Sequence, residues 1–316
     1  MDQRTAIIIL NWNSSEMTIA CLDSLAQIHH DNFKVFVVDN GSIEKEWKLI
    51  DDYISTNNQL FTLISLQYNY GFTGGNNAGI IEAQKEYQPK NVLLLNNDTV
   101  VDPFFLKEME VEFLKNERIG IVVPKIYFYD EPTKLYYAGG YINKLSGMGE
   151  HNLWKQEDPK DNFKPQSEQF ANGCCMLISS KLLDKIGYLN DHFFANIEDV
   201  EYSYRALKAD FGIIYVPRAI VWHKEGFASK KNKGQWFRIY LCTRNLILFF
   251  RERARWYSLF LFVPYFFIRW VAYMSLKSIL SKDFKSVRSI FLGCLDGITK
   301  KLRYVQRPDT FIFRPR

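Results

Sequence analysis

Cysteine is scarce in this sequence, and its spacing excludes two kinds of structural site. The 316 residues contain five cysteines, which is an odd number, and no two of them form a C-x-x-C pair. Structural zinc sites and disulfide frameworks both use paired or regularly spaced cysteines. Isolated cysteines are typical of the core of a protein in a reducing compartment. We therefore expect neither disulfide bonds nor structural zinc.

A long apolar run is missing from the N-terminal end. Asp2 and Arg4 lead directly into a short run at residues 6–10, which Asn11 follows. A secretory signal needs a longer apolar stretch and a cleavage site with small residues. We therefore expect the chain to begin in the cytoplasm.

A strong net charge is absent as well. The formal charge is +5, from 40 basic and 35 acidic residues. This balance is too mild to indicate a nucleic-acid partner, and we expect none. The charge is uneven, however, because basic residues outnumber acidic ones from Arg218 onward.

The common glycine-rich phosphate motifs, G-x-G-x-x-G and the Walker loop, do not occur. Instead, four short apolar runs alternate with helical patterns, and each run ends in polar residues or glycine. The runs begin at Ala6, Lys34, Phe61 and Asn91, and the helical patterns cover residues 17–28 and 78–87. Strands alternating with helices predict a parallel sheet, in which ligands bind beyond the carboxyl ends of the strands.

The second half of the chain predicts a mixture of elements. Residues 119–128 indicate a pair of strands, and residues 174–179 a short buried strand. A short helix is expected to end at Gly187, and a second helix to follow Asp199. A last strand is expected to end at His223.

Two segments with glycine or turn residues each allow two interpretations. The segment from Asn69 to Gly79 is either a long turn or a loop that approaches an anion before a helix. Asp39 stands in the turn-like sequence VDNGS, and at a strand end its carboxylate could accept from the N–H of a base.

Polar side chains follow the fourth apolar run without interruption. Asn96, Asn97 and Asp98 would be costly to bury without partners. One carboxylate together with substrate phosphates is a common way to hold Mg²⁺ or Mn²⁺. His223 could add an imidazole, which favours Mn²⁺, although a single histidine is more often structural.

The segment NIEDVEYSYR places acidic residues at the start of a predicted helix. Glu198, Asp199 and Glu201 suit the first turn of a helix whatever the function. A carboxylate at this position is also suited to act as a general base toward a hydroxyl group.

Seven segments together resemble the inverting glycosyltransferases of family 2, which have the GT-A fold. They are IIILNWN, VVDNGS, NYGFTGGNNAG, LLLNNDTVVDP, GCCMLIS, GYLNDHFFANIEDVEYSYR and VPRAIVWHKEG, within about residues 5–229. The forms GFTGGNN and FF-x-x-x-ED most resemble the rhamnosyltransferase-like branch, which builds bacterial surface polysaccharides. The resemblance implies an α/β fold with a Rossmann-like mixed sheet flanked by helices.

The resemblance also implies a role for each candidate residue. Asp199 would be the catalytic base with Glu198 beside it, and Asp98 and His223 would bind Mn²⁺ or Mg²⁺. The residues expected to bind the nucleotide sugar are Asn11, Asp39, Asn69, Gly71, Gly74, Gly75, Asn76 and Asn97. Two positions depart from the family pattern: Asn96 replaces the first acid of its D-x-D motif, and Glu201 replaces a second aspartate.

The implied reaction moves a sugar from a nucleoside diphosphate to a hydroxyl group. We expect dTDP-rhamnose as the donor, with a UDP-linked sugar as the alternative, and a saccharide or lipid-linked saccharide as the acceptor. A nucleotidyltransferase is a competing interpretation, but its basic glycine-rich loop is missing after the first strand. A scaffold protein with a decayed site is a third interpretation, which the retained Asp98, Asp199 and His223 disfavour.

The run from Trp256 to Leu276 is strongly apolar and aromatic, with basic residues on both sides. It is long enough to span a membrane, but Pro264 and Arg269 favour a helix or hairpin on the cytoplasmic leaflet. A helical pair buried against the catalytic domain is the alternative. We therefore expect a catalytic domain at residues 1–228 and a membrane-associated helical segment at residues 229–316. The polar loop at residues 223–234 would either cover the donor or lie in solvent.

Overall fold

The computed structural model describes residues 4–56, 59–159, 164–224, 234–253, 258–305 and 310–314. The predicted lid over the donor falls mainly on residues 225–233, and the expected domain boundary lies there too. Trp256 also lies outside the described residues.

The first half of the chain forms the parallel part of the sheet. The four predicted strands are β1 (Thr5–Asn11), β2 (Phe33–Asn40), β3 (Phe61–Leu66) and β4 (Asn91–Asn96). β1 lies between β2 and β4, and all adjacent pairs in this group are parallel. The side chains of β1 and β2 are largely buried because helices cover both faces of the sheet, as parallel sheets require. The helices here are α1 (Ser15–Leu25), α2 (Glu44–Ser55), α3 (Gly71–Glu86) and α4 (Phe105–Lys115).

The second half completes the sheet with antiparallel pairs. Its strands are β5 (Thr99–Val101), β6 (Ile119–Phe128), β7 (Leu135–Tyr137), β8 (Gly140–Ile142), β9 (Gly149–His151), β10 (Gln166–Glu168), β11 (Cys175–Ser179) and β12 (Gly212–His223). The order across the sheet is β10-β12-β6-β11-β4-β1-β2-β3, with β5 beside β12 and β7 beside β6. The predicted mixed α/β fold is therefore confirmed. The helices α5 (Ser180–Ile186) and α6 (Glu198–Lys208) lie between β11 and β12.

Two predicted elements differ from the structure. Residues 119–128 form one strand rather than a pair, because all ten residues are buried and pair along β12. Pro124 lacks an N–H, and the register shifts in β12 just after its partner Val216. The second predicted helix begins at Glu198, two residues earlier than expected.

The glycine-rich segment also differs, because it is the first part of α3 and not a loop. A Cβ atom on Gly75 would lie 2.3 Å from Leu10 Cδ1, and one on Gly79 would lie 2.5 Å from Ile8 Cγ2. These glycines therefore let α3 approach β1 closely. Gly71 begins the helix with a φ of +75°, which a residue with a side chain rarely adopts.

The C-terminal part of the described chain is helical. It contains α7 (Gly234–Arg253), α8 (Ser258–Tyr265), a π-helical segment (Phe266–Ala272), α9 (Tyr273–Leu280) and α10 (Phe284–Thr299). Pro264 lies just before the π-helical segment, where a missing backbone donor disturbs regular α-helix pairing. Glycines let α10 pack tightly on α7, since a Cβ atom on Gly297 would lie 2.8 Å from Arg244 O. Among the described helices, none is long and apolar enough to cross a membrane.

Candidate active site

A cavity of about 840 Å³ opens at the carboxyl end of β4. Its wall includes Asn96 from β4, Cys174 before β11 and Asp199 at the start of α6. Four aromatic side chains also line the cavity; they are Phe72, Tyr136, Trp154 and Phe170. Concave sites with an apolar lining and a few converging polar groups are the usual form of a small-molecule site.

Asp199 is held in the cavity wall by backbone donors. Gly173 N–H donates to its Oδ2 at 3.2 Å, and its own neighbour Val200 N–H donates to Oδ1 at 2.8 Å. Burial raises the pKa of Asp199, while hydrogen bonds from the two N–H groups oppose that rise. The N-terminal end of α6 also favours a negative charge. These donors hold the carboxylate in the cavity wall and favour its ionised form.

Glu198, the preceding residue, has a different environment. Its side chain is buried, and its Oε2 has no hydrogen-bond partner among the described residues. Burial raises the pKa of Glu198 well above its usual range, and the Asp199 carboxylate raises it further. Two adjacent carboxyl groups that differ in this way keep the proton on the less solvated one. Protonation is therefore favoured at Glu198 over Asp199.

The loop before α6 has an unusual backbone. Phe194, Asn196 and Ile197 all have positive φ angles, between 63° and 70°, which are uncommon for residues other than glycine. Asn245 on α7 holds this loop, because its Nδ2 group lies 2.8–2.9 Å from the carbonyl oxygens of Phe193, Ala195 and Asn196. Asn245 is itself fully buried. Helix α7 therefore fixes the backbone that leads to Asp199.

His151 on β9 contributes an imidazole to the same cavity. Its Nδ1 lies 2.8 Å from the carbonyl oxygen of Tyr136, so this nitrogen carries the hydrogen. Asn172 Nδ2 donates to the other ring nitrogen at 3.1 Å. Contacts from two sides therefore fix the orientation and the tautomer of the ring.

Asp98 and His223 are brought together by the sheet. β5 pairs antiparallel with β12, and this pairing places His223 opposite Thr99, the residue after Asp98. His223 Nε2 lies 3.1 Å from Asp98 Oδ1, which accepts no well-aligned hydrogen bond from a described residue. Both side chains are largely buried. Neither lines the cavity, but the thiol of Cys174, which does line it, interacts with His223.

A chain of buried hydrogen bonds links the ends of β1, β2 and β4. Asn11 Nδ2 donates to Asp39 Oδ1 at 2.9 Å, and Thr18 Oγ1 donates to Asn11 Oδ1 at 2.8 Å. Asn97 Nδ2 in turn donates to Thr18 Oγ1 at 2.8 Å. Three candidate residues are thus parts of one network. Burial raises the pKa of Asp39, and hydrogen bonds from Ser42 and Asn11 oppose the rise.

The remaining candidates lie at the start of α3. Asn69 Oδ1 accepts the N–H of Gly71 at 2.8 Å, and Asn76 Nδ2 donates to the carbonyl of Phe72 at 2.8 Å. Gly74 and Gly75 are buried within the helix. Of the residues in this segment, Phe72 lines the cavity. Contact between the other members and a nucleotide sugar stays a prediction.

Residues 6–187 match Glycosyl transferase family 2, and this stretch covers more than half of the chain. The chain belongs to this family. The chain is therefore a glycosyltransferase. The expectation of this family from the seven sequence segments is confirmed.

Two curated relatives make glycans. The chain is 25% identical, over 94% of its length and 91% of the relative, to the low-salt glycan biosynthesis hexosyltransferase Agl10 of Haloferax volcanii. It is also 25% identical, over 69% of its length, to the poly-beta-1,6-N-acetyl-D-glucosamine synthase of Staphylococcus epidermidis. It spans about half of the synthase.

Solved structures share the fold of this glycosyltransferase. GalNAc-T7 with UDP, GalNAc and Mn²⁺ superimposes with a TM-score of 0.61 at 17% identity, over 78% of this chain and 47% of the other. The mannosyltransferase PcManGT of Pyrobaculum calidifontis, in complex with GDP-Man and Mn²⁺, superimposes with a TM-score of 0.58 at 12% identity, over 95% of this chain and 88% of the other. At these identities the likeness shows the fold alone.

Two residues at the site carry no signal in the sequence, whereas Glu201 is marked there by its departure from the family pattern. His151 and Asn245 contact the site from elements that resemble ordinary strand and helix sequence. Glu201, which replaces a family aspartate, is fully buried and accepts from Arg205 Nε and Arg253 Nε, each at 2.8 Å. It therefore joins α6 to the end of α7.

Proposed function

We propose that this glycosyltransferase moves a sugar from a nucleoside diphosphate to an acceptor hydroxyl with inversion at the anomeric carbon. The position of Asp199 carries this proposal. Its carboxylate is held by two backbone N–H groups in the wall of a cavity of about 840 Å³. A fixed, ionised carboxylate is what a general base requires.

In the proposed reaction, Asp199 accepts the proton of the acceptor hydroxyl as the hydroxyl oxygen bonds to the anomeric carbon. The bond from that carbon to the diphosphate oxygen breaks on the opposite face, and the nucleoside diphosphate leaves with the electron pair. A single displacement of this kind inverts the configuration. Glu198 stays neutral, so that one negative charge faces the acceptor. The aromatic wall of the cavity supplies flat apolar surfaces for sugar rings.

The residues at the end of β4 fit a divalent cation that is shared with the diphosphate. Asp98 Oδ1 is a buried acceptor without a well-aligned donor, and the imidazole of His223 lies beside it. The described residues contain no group of three or more acidic, histidine or cysteine side chains that could hold a metal, so the diphosphate would complete the site. A cation held there would stabilise the negative charge of the leaving diphosphate.

For the donor, we propose a pyrimidine nucleotide sugar, and dTDP-rhamnose is the first candidate because of the sequence resemblance. UDP-linked sugars are the alternative, and the UDP in the GalNAc-T7 structure supports including them in a test. GDP-mannose enters the same test because PcManGT was solved with GDP-Man. The relatives that make glycans support a saccharide or lipid-linked saccharide as the acceptor.

The C-terminal helices support a membrane-surface location, which we propose as the second part of the function. The helices α8 to α10 carry exposed apolar side chains, here called the apolar face: Phe260, Leu261, Val263, Phe267, Ile268, Leu276, Leu280, Phe284, Phe291, Leu295 and Ile298. On α10 the spacing of seven, four and three residues places its four members on one side of the helix.

Basic residues accompany the apolar face. The exposed ones are Arg269, Lys277, Lys282, Lys285 and Arg288. Apolar side chains with basic neighbours are typical of helices that lie in the interface of an anionic membrane. We propose that the catalytic domain at residues 1–228 is held at the cytoplasmic leaflet by this segment, close to a lipid-linked acceptor.

A nucleotide panel tests the donor and the metal together. Thermal shift with UDP, dTDP, GDP and ADP, each with Mn²⁺ or with EDTA, reports binding because ligands raise the melting temperature of the native state. We expect UDP or dTDP with Mn²⁺ to give the largest shift. In the variant Asp98→Ala, the shift in melting temperature with Mn²⁺ should fall to the shift measured with EDTA. An equal shift with and without Mn²⁺, in both proteins, would contradict the metal site, and no shift with any nucleotide would contradict the donor class.

A further inference from the structure

A segment from the far end of the described chain lies beside β3. The carbonyl of Ile312 accepts the N–H of Gln67 at 2.7 Å, and the N–H of Arg314 donates to the carbonyl of Ser65 at 2.8 Å. Leu66 and Phe313 form an antiparallel bridge. Residues 310–314, here called the edge segment, thus extend the sheet at the carboxyl end of β3. In the adjacent strand, Asp39 is the partner of Ser65.

Tyr70 anchors the edge segment. Its hydroxyl donates to the carbonyl of Thr310 at 2.8 Å and accepts the N–H of Ile312 at 3.0 Å. Its ring also packs edge-on against Phe311, with 5.1 Å between the centroids. The segment is therefore held by side-chain and backbone contacts as well as by the strand pairing.

These contacts place the side chain of Arg314 over Asp39. Arg314 Nη1 lies 3.5 Å from Asp39 Oδ2, and Nη2 donates to the carbonyl of Ser42. The guanidinium carbon lies 5.7 Å from the ring centre of Trp47. Asp39 has no exposed surface, and Arg314 Nη1 is buried without a hydrogen-bond partner among the described residues. Nη1 is paired with Asp39 by charge, and its N–H groups still have donor capacity for an acceptor on a ligand.

We propose that Arg314 recognises the base of the donor nucleotide together with Asp39, which rests on the proposed nucleotide-sugar reaction. The exposed edge of uracil or thymine presents an N–H with a carbonyl oxygen on each side. Asp39 Oδ2 accepts the N–H, and the guanidinium moves aside to donate from Nη1 to a neighbouring carbonyl oxygen. Trp47 and the carbonyl of Ser42 keep the guanidinium close during this exchange. The edge segment is then part of the donor site.

Isothermal titration of the full chain with UDP and with dTDP, in Mn²⁺, tests this assignment. We expect Arg314→Gln to weaken both affinities by about tenfold or more, the scale of one charge-assisted hydrogen bond. Arg218→Gln is the matched control, because Arg218 is an exposed arginine on β12, and its affinities should equal those of the wild type. Unchanged affinity in Arg314→Gln would overturn the proposal. Tighter binding would also overturn the proposal, because it would show that the edge segment blocks the nucleotide site.

A second variant covers the case in which Arg314→Gln does not fold. Tyr70→Phe keeps the ring but loses both hydroxyl contacts to the edge segment, so it should weaken UDP binding in the same direction. Normal UDP affinity in Tyr70→Phe would then overturn the proposal. Binding of GDP in preference to UDP by the wild type would overturn the base assignment alone. A wild type that binds none of UDP, dTDP, GDP and ADP would contradict the proposed function itself.

Discussion

At the scale of single residues, Glu198 and Asp199 show how neighbouring carboxyl groups acquire different properties. Asp199 accepts hydrogen bonds from two backbone N–H groups. Glu198 is buried, and its Oε2 has no hydrogen-bond partner among the described residues. The raised pKa of Glu198 has a consequence for stability. Above the usual pKa of a glutamate, the unfolded chain is ionised while the native chain still holds the proton. The stability from this group is therefore present at low pH and is lost as the pH rises.

The variant Glu198→Gln should remove this pH dependence. Its melting temperature relative to the wild type should increase steadily between about pH 5 and about pH 8, because only the wild type must take up a proton on folding. Thermal unfolding followed by circular dichroism at several pH values measures the difference. A difference that does not change with pH would contradict the neutral state of Glu198.

At the scale of elements, strands β1 to β4 could be predicted because each is a short apolar run that is followed by polar residues or glycine. The start of α3 could not be predicted in the same way. Gly75 and Gly79 resemble a flexible loop in the sequence, but their role depends on close packing against Leu10 and Ile8 of β1. Local sequence does not contain that contact.

Residues that hold the candidate site in place also could not be predicted from local sequence. Asn245 reaches the loop before α6 across about fifty positions in the chain, and Arg314 reaches Asp39 across 275. Residue types at strand ends indicated Asp39 and Asp98, and the acidic start of a predicted helix indicated Asp199, because buried carboxylates need a reason to be there. Residues that act by holding others carry no comparable signal.

Helix α7 leads to a prediction about rate. Asn245→Ala removes the donor that holds three carbonyl groups of the strained loop, so Asp199 should lose its fixed position. We expect the turnover number to fall by about tenfold or more while the donor KM changes little, because the loss affects positioning rather than binding. Steady-state kinetics below the melting temperature measures both.

The matched control is Leu248→Ala, which truncates a buried side chain on the same helix. It should lower stability by about 2–5 kcal/mol without a comparable loss of turnover. If the two variants lose turnover equally, α7 acts through stability alone and Asn245 has no positioning role.

At the scale of the whole molecule, the apolar face distinguishes this glycosyltransferase from a protein with a fully polar surface. Phe260 is 71% exposed and Leu280 is 76% exposed, and most other members are similar. Many exposed apolar side chains on one helical segment indicate a contact with another partner or with a membrane. The basic neighbours favour the membrane.

The protein should pellet with anionic liposomes more than with neutral ones, and high salt should weaken this binding without abolishing it. The triple variant Phe284→Ser, Phe291→Ser and Leu295→Ser should lose binding to anionic liposomes. The matched control changes Ile43, Leu49 and Leu114 to serine, because they are exposed apolar residues on the catalytic domain. The membrane assignment would be contradicted if the wild-type protein did not pellet with liposomes. It would also be contradicted if sedimentation showed that the triple variant had lost a dimer present in the wild type.

The turnover of Asp199→Asn tests the central claim most directly. The amide keeps the size of the carboxylate but loses its basicity, so turnover should fall by about a hundredfold or more. Affinity for the nucleoside diphosphate, measured on the same variant by calorimetry, should stay at the wild-type value because Asp199 faces the acceptor in the proposed reaction. Turnover close to that of the wild type would contradict the assignment of Asp199 as the base and with it the proposed mechanism.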